Sequence, residues 1–402
     1  MMTKSNKLTR REFLMIGGLG LTGLLTADFS ASTANAENDK EMLVYIGTYT
    51  SNSKSEGIYI YKLNLSSGRM SPHKIVKNVI DPSYLTIDKS GRYLYAANET
   101  LEYEGKPSGI VSAYAIDKTT GDLTFLNKQA SGGGAPCYVS VSDNGKFVLV
   151  ANYVGGNAAV FAVQSDGGIG ATLELKQHQG GGANKKRQES AHAHSITLDN
   201  ENNYAVVCDL GIDRAMIYRF DGQTGKLQTN AAQPFFQAKH GAGPRHFAFH
   251  PNGKIAFVVN ELDSTLTSLN YDGKKGTLSE IQTVKTIPAD YPRAADNTCA
   301  DVHISPDGRF VYASNRGHNS LVSYKINEKN GTLEYLEHTS TLGKTPRNFA
   351  IDPTGNFLLA ANQNSGSVVV FRVDKETGKL QSTGFNASVP SPVCLKFLKL
   401  AK

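Results

Sequence analysis

Six times along this chain, a residue at the head of one apolar run is followed fifteen positions later by asparagine or aspartate. The pairs are Ser83–Asn98, Cys137–Asn152, His194–Asp209, Arg245–Asn260, Ala300–Asn315 and Arg347–Asn362, and proline precedes the first member in most of them. Between the two members lie an apolar run, a short turn that usually carries glycine, and a second apolar run. That is the pattern of a β-hairpin. The clearest copy runs from Gly243-Pro244-Arg245-His246 through Pro251-Asn252-Gly253 to Val259-Asn260-Glu261. A repeat of this length cannot bury its apolar face alone and must stack on its neighbours.

Each hairpin is followed by another apolar segment: Gly109 to Ile116, Asn157 to Val163, Ala215 to Phe220, Thr265 to Leu269, Ser320 to Ile326 and Gly366 to Val373. Turns such as Thr224-Gly225-Lys226-Leu227 and Asn330-Gly331-Thr332-Leu333 then open a fourth segment. The first six units recur every 47 to 57 residues, which predicts four-stranded antiparallel propeller blades. A seventh first strand, Pro392 to Leu398, ends the chain. Its three partners are expected from Leu43 to Thr48, Gly57 to Leu65 and Met70 to Val76. The predicted fold is an all-β, seven-bladed propeller closed by a blade of N- and C-terminal strands, a closure that removes free edges. No helical periodicity competes with it.

Residues 1–36 are expected to lie outside this domain, which then spans 37–402. Thr9-Arg10-Arg11-Glu12-Phe13-Leu14 precedes an apolar run from Met15 to Ala27, and Ala34-Asn35-Ala36 offers a cleavage site after Ala36. These parts make a twin-arginine export signal and predict a periplasmic or otherwise exported protein that meets the twin-arginine machinery. The run is too short and too rich in glycine (Gly17, Gly18, Gly20, Gly23) to span a bilayer well, so no stable membrane insertion is expected after cleavage.

Without those residues the formal charge falls from +6 to +4, and the one basic block is Lys185-Lys186-Arg187. That argues against nucleic acid as a partner. The block lies in the longest irregular stretch, Gln164 to Ala191, which is expected to be a functional or mobile loop or a solvated insertion. The cysteines, Cys137, Cys208, Cys299 and Cys394, show no paired spacing and read as buried free thiols.

In a propeller the innermost strands line a central channel, and their starts share a face with the ends of the second strands. One ring at that mouth holds Ser83, Cys137, His194, Arg245, Ala300, Arg347 and Val393. A second holds Tyr49, Glu99, Tyr153, Leu210, Glu261, Arg316 and Gln363. Charge concentrates at His194, Arg245, Glu261, Arg316 and Arg347, an arginine excess that suits an anionic ligand. Arg245 and Glu261 could form only a cross-strand ion pair, but unneeded charge is costly at a partly buried mouth. His246 and His303 can be read as strand histidines and His250 as part of a turn. His192-Ala193-His194 is weak as a metal pair because no carboxylate set accompanies it, so neither metal nor cofactor is expected.

Met42-Leu43-Val44-Tyr45-Ile46-Gly47-Thr48-Tyr49-Thr50, His192-Ala193-His194-Ser195, Gly243-Pro244-Arg245-His246 and Ser314-Asn315-Arg316 resemble the seven-bladed propeller lactonase family. That family includes propeller-type 6-phosphogluconolactonases and carboxy-cis,cis-muconate cyclases, and the likeness spans residues 42–398. Its cyclase branch implicates a histidine, two arginines and a glutamate, which fall here on His194, Arg245, Arg316 and Glu261. The resemblance implies lactone chemistry on a small anionic or sugar lactone, although an export signal sits uneasily with a cytoplasmic phosphosugar. The resulting expectation is a lactonase with Glu261 as general base, His194 as proton shuttle or alternative base, and Arg245 and Arg316 as anion and oxyanion clamps. Arg347, His246 and Tyr49 are expected to bind substrate. A cycloisomerase forming a lactone from a muconate-type diacid would use the same groups. A non-catalytic binding propeller would turn nothing over.

Overall fold

The computed structural model describes residues 40–400. The export signal read at 1–36 lies outside the described residues. Seven antiparallel sheets follow one another, and six of them take their strands consecutively from the chain. Their innermost strands are Pro82–Ile87, Pro136–Val141, Ala193–Leu198, Pro244–Phe249, Thr298–Ile304, Pro346–Ile351 and Pro392–Leu398, numbered here blades one to seven. In blade seven the C-terminal strand pairs with Glu41–Thr48, in the register Leu43 to Leu398, Val44 to Phe397 and Ile46 to Leu395. The ring is closed as its strand pattern predicts.

The second strands read as unbroken apolar runs because neighbouring blades cover both of their faces. Phe147–Asn152 is buried at every position, and so are Ile255–Asn260 and Phe357–Asn362. The core is accordingly a ring of inter-blade layers. Phe310 and Tyr312 of blade five pack with Phe349, Leu358 and Phe371 of blade six, for example. Each such side chain contributes about 1.5–3 kcal/mol when fully buried. The outermost strands face solvent on one side, as in Leu123–Ala130, which has no fully buried residue.

The recurring asparagine has a structural task. A blade begins with a connection from the previous outer strand, and a buried carbonyl there needs a donor. Asn152 Nδ2 donates to Ser131 O at 2.9 Å, Asn315 to Thr286 O at 2.6 Å and Asn362 to Thr341 O at 3.0 Å.

Two stretches differ from the sequence reading. Ile169–Gln177, inside the expected irregular segment, is the outer strand of blade two, so the irregular connection is confined to 178–192. Three glycines around it and a register slip between Val160 and Phe161 obscure its alternation. The outer strand of blade three is split into Leu227–Thr229 and Phe235–Gln237, both paired with Arg214–Phe220. All four cysteines are free and buried, as expected.

Candidate active site

One backbone device repeats at the mouth of the channel. Every blade has a register shift at the head of its inner strand, and the extra residue is the one that follows the proline-like position. In blades one, two, three, four and six it is Ser83, Cys137, His194, Arg245 and Arg347. In blade five the shift lies between Cys299 and Val302, and in blade seven it leaves Val393 unpaired. A bulge adds twist and re-aims its side chain. The residue before each proline is also left-handed: Asp81, Ala135, Gly243, Thr345 and Ser391 have φ between 36° and 64°. For the four that are not glycine this costs about 1–2 kcal/mol apiece. The carbonyl of the left-handed residue then accepts the N–H of the second-ring residue, as in Glu261 N to Gly243 O at 2.7 Å and Glu99 N to Asp81 O at 2.9 Å. First-ring and second-ring side chains are thereby set next to one another.

Glu261 is the centre of the charge. Its Oε2 lies 3.0 Å from Arg245 Nε and 2.9 Å from Arg316 Nη2, and its Oε1 lies 2.6 Å from Arg187 Nη2. The carboxylate is buried, at 4 % side-chain exposure. Burial alone would raise its pKa, but Arg316, Arg245 and Arg187 hold it well below the usual carboxylate range. Arg245 is almost fully buried; burial, then Arg316 and Arg347, lower its pKa to about 10. Its Nη1 donates to Ala300 O, while its Nε, though close to Glu261, is not aligned for a hydrogen bond. Arg316 Nη2 also donates to Cys299 O at 2.8 Å, and Arg316 Nε is a buried donor without an acceptor.

Across the mouth, Tyr49 donates to Glu99 Oε2 at 2.7 Å, Arg347 lies over the Tyr49 ring at 5.3 Å, and Arg347 Nη2 is 4.0 Å from Glu99 Oε1. His194 is buried among Cys137, Tyr153 and His246. Its Nδ1 is 3.5 Å from Cys137 Sγ, and its ring meets Tyr153 edge-on at 5.4 Å and His246 at 5.3 Å. Burial, then Arg245, His246 and Arg347, push His194 well below the ordinary histidine range, so it is neutral at pH 7. Burial, reinforced by Glu99, pushes the Cys137 thiol far up, which keeps it protonated.

The expected residues thus fall into linked groups. Arg245, Glu261 and Arg316 touch directly; Tyr49 and Arg347 form a second cluster; the charges of Arg245 and Arg347 both bear on His194. His246 points down the channel, with Nε2 3.1 Å from Arg245 Nη1 and Nδ1 2.7 Å from Asp301 Oδ1. His192 engages Tyr153 O and Glu189 and stacks on Tyr153, so it does not pair with His194. Sequence reasoning passed over Arg187, Glu99 and Asp301 as site residues. The basic block at 185–187 was the available signal for the first, and the second-ring position for Glu99. Asp301 had none beyond following Ala300. A surface cleft of about 1070 Å³ lies among turns at the outer edge of blades three and four and is lined by none of these residues. Charge convergence, and not cleft size, locates the site.

A seven-bladed ring with a histidine and a guanidinium-bound glutamate at its mouth defines a class, and comparison with known proteins places the chain in it. The chain belongs to the family described as lactonase, 7-bladed beta-propeller, matching it over residues 43–397. It is similar to the 6-phosphogluconolactonase of Bacillus subtilis, 41% identical over 354 residues that cover 88% of this chain and 97% of that protein. The 6-phosphogluconolactonase of Formosa agariphila is 38% identical over 77% of this chain and 86% of its own length. Among solved structures, the periplasmic gluconolactonase of Pseudomonas aeruginosa superposes with a TM-score of 0.83 at 31% identity, covering 90% of this chain and 100% of that one.

Proposed function

We propose that the mouth hydrolyses a sugar or sugar-acid lactone, with His194 moving the proton and the arginines holding the charge. The observation that carries this reading is the buried Glu261 carboxylate bridging Arg187, Arg245 and Arg316. Water attacks the ring carbonyl as His194 Nε2 accepts its proton; Nδ1 is already turned to Cys137. The oxyanion that forms is stabilised by donors of Arg316 and Arg245 held ready beside it. Collapse breaks the ring C–O bond, and the proton returns from His194 to the leaving oxygen. Glu261 keeps the guanidinium groups in place. Both Glu261 oxygens are held by guanidinium groups, whereas neutral His194 keeps an imidazole lone pair, which favours His194 for proton transfer.

The two curated relatives support 6-phosphogluconolactone, or a close analogue, as substrate. A pH-stat assay of residues 37–402 against δ-gluconolactone, its 6-phosphate and muconolactone tests this. Base consumption above the spontaneous rate is expected; no acceleration for any lactone would favour a binding propeller.

Export through the twin-arginine route is proposed from Arg10, Arg11 and Ala34-Asn35-Ala36, with the periplasmic relative in support. Replacing Arg10 and Arg11 with lysine should leave the uncleaved protein in the cytoplasm. Normal appearance of mature protein outside it would refute that route.

A further inference from the structure

Arg187 reaches the mouth from a connection that is built with care. Both ends of the 178–192 segment are clamped by one carboxylate: Asp209 Oδ2 lies 2.6 Å from His178 Nδ1, and Oδ1 accepts the N–H of His192 at 2.7 Å. Asp209 stands where the other five hairpins carry asparagine. His178 is fixed at its other nitrogen by Tyr218 Oη at 3.0 Å. In the middle, Gln188 is fully buried. Its Nε2 donates to Leu210 O at 2.8 Å and Asp213 Oδ1 at 2.6 Å, and its Oε1 accepts from Asn184 N at 2.9 Å. Asp213 also accepts the N–H groups of Gly241 and Gly243, the segment leading into Arg245. A Cβ on Gly182 would stand 2.5 Å from Gln188 Cδ, so glycine is needed for this approach.

Arg187, the residue before Gln188, points out of this support toward Glu261, and its Nη2 also reaches Tyr153 Oη at 3.3 Å. Glu261 does not need it for neutrality, since Arg245 and Arg316 already share Oε2. The mouth then holds guanidinium groups at 187, 245, 316 and 347 against carboxylates at 99 and 261, a surplus of positive charge. Exposure ranks them by depth: Arg245 2 %, Arg316 14 %, Arg347 19 % and Arg187 38 %. Arg187 is the outermost, and an exposed guanidinium adds little stability by pairing. Its fork suits a phosphate or carboxylate oxygen pair.

We infer that Arg187 is a specificity-determining residue that binds an anionic group, phosphate or carboxylate, carried by the substrate away from its lactone carbonyl. This rests on the lactonase reading above. The test compares wild type, Arg187→Gln and Arg187→Lys on δ-gluconolactone, its 6-phosphate and its 6-carboxylate analogue. Calorimetric binding of gluconate and gluconate 6-phosphate is measured in parallel. Arg187→Gln should lower kcat/KM for the charged lactones, and affinity for gluconate 6-phosphate, roughly ten- to hundredfold. Losses on the uncharged lactone and on gluconate should be at least about tenfold smaller than those on the forms that carry the 6-anion, and the lysine variant should lie between. A larger effect on the phosphate than on the carboxylate lactone, or the reverse, identifies which anion is read. Equal losses on ligands with and without the 6-anion, or no loss on either, would overturn the inference. If wild type turns over no lactone, the lactonase reading fails, and Arg187 is judged by the two gluconates alone.

Discussion

His246 Nδ1 lies 2.7 Å from Asp301 Oδ1, deep in the channel, and this contact decides which face of the imidazole Arg245 meets. A carboxylate only accepts, so Nδ1 carries the hydrogen and Nε2 keeps its lone pair. Arg245 Nη1 donates to that lone pair at 3.1 Å. Asp301 is itself held by His303, Asn348 and the Val302 N–H. A chain of contacts therefore runs from the channel axis through Arg245 to Glu261.

Asp301→Asn should break that chain. The new amide can donate to Nδ1 and move the hydrogen to Nε2, where it opposes Arg245. The ¹⁵N shifts of His246 should report the exchanged tautomer, together with a roughly tenfold or greater fall in kcat and a loss of about 1.5–3 kcal/mol for the lost hydrogen bonds to a buried carboxylate. An unchanged tautomer with normal kcat would remove the positioning role.

His194→Gln and Glu261→Gln should separate proton transfer from charge anchoring. The first should lower kcat roughly a hundredfold to ten-thousandfold with the melting temperature nearly kept. The second leaves three buried or half-buried guanidinium groups without their shared anion and should destabilise by about 3–5 kcal/mol as well as slow turnover. A stable, inactive Glu261→Gln protein beside an active His194→Gln protein would return the base to Glu261.

The pH dependence of stability follows from two buried histidines. Burial and then Arg245 place His194 well below its ordinary range and His246 at about 4. Between pH 6.5 and about 4 the unfolded chain binds a proton at each site that the native protein does not. Their contribution is complete above pH 6.5 and is lost as pH falls, by up to about 1.4 kcal/mol per pH unit for each residue. Urea unfolding at pH 7, 6 and 5 should show a falling midpoint; a flat midpoint would contradict the depressed values.

Deleting residues 391–402 removes the inner strand of blade seven and uncovers Val44, Tyr45 and Ile46, which it shields. Aggregation or a large drop in thermal stability is expected from the exposed edge. A soluble product that melts like the parent would mean that the ring does not depend on this closure.

The architecture was legible because its signals are local. Apolar runs, turn residues and a constant spacing of fifteen repeat within each hairpin, and the unmatched strand at 392–398 calls for N-terminal partners. The ring positions followed from the same spacing, which brought Arg245, Glu261, Arg316 and His194 to one mouth. An outer strand such as Ile169–Gln177 was harder to read because one covered face leaves a weaker apolar pattern.

What the chain by itself determined, then, is the number of blades, their order and which positions face the channel; these rest on contacts within single hairpins and on one unmatched C-terminal strand that calls for N-terminal partners. Only the tertiary structure decided what those side chains do. Arg187 meets Glu261 across 74 residues because an Asp209 clamp and a buried Gln188 carry its segment back to the mouth. The low proton affinity of Glu261 likewise depends on three cations from different parts of the ring. Charge and burial of that kind are sums over neighbours brought together by ring closure, and no local pattern contains them.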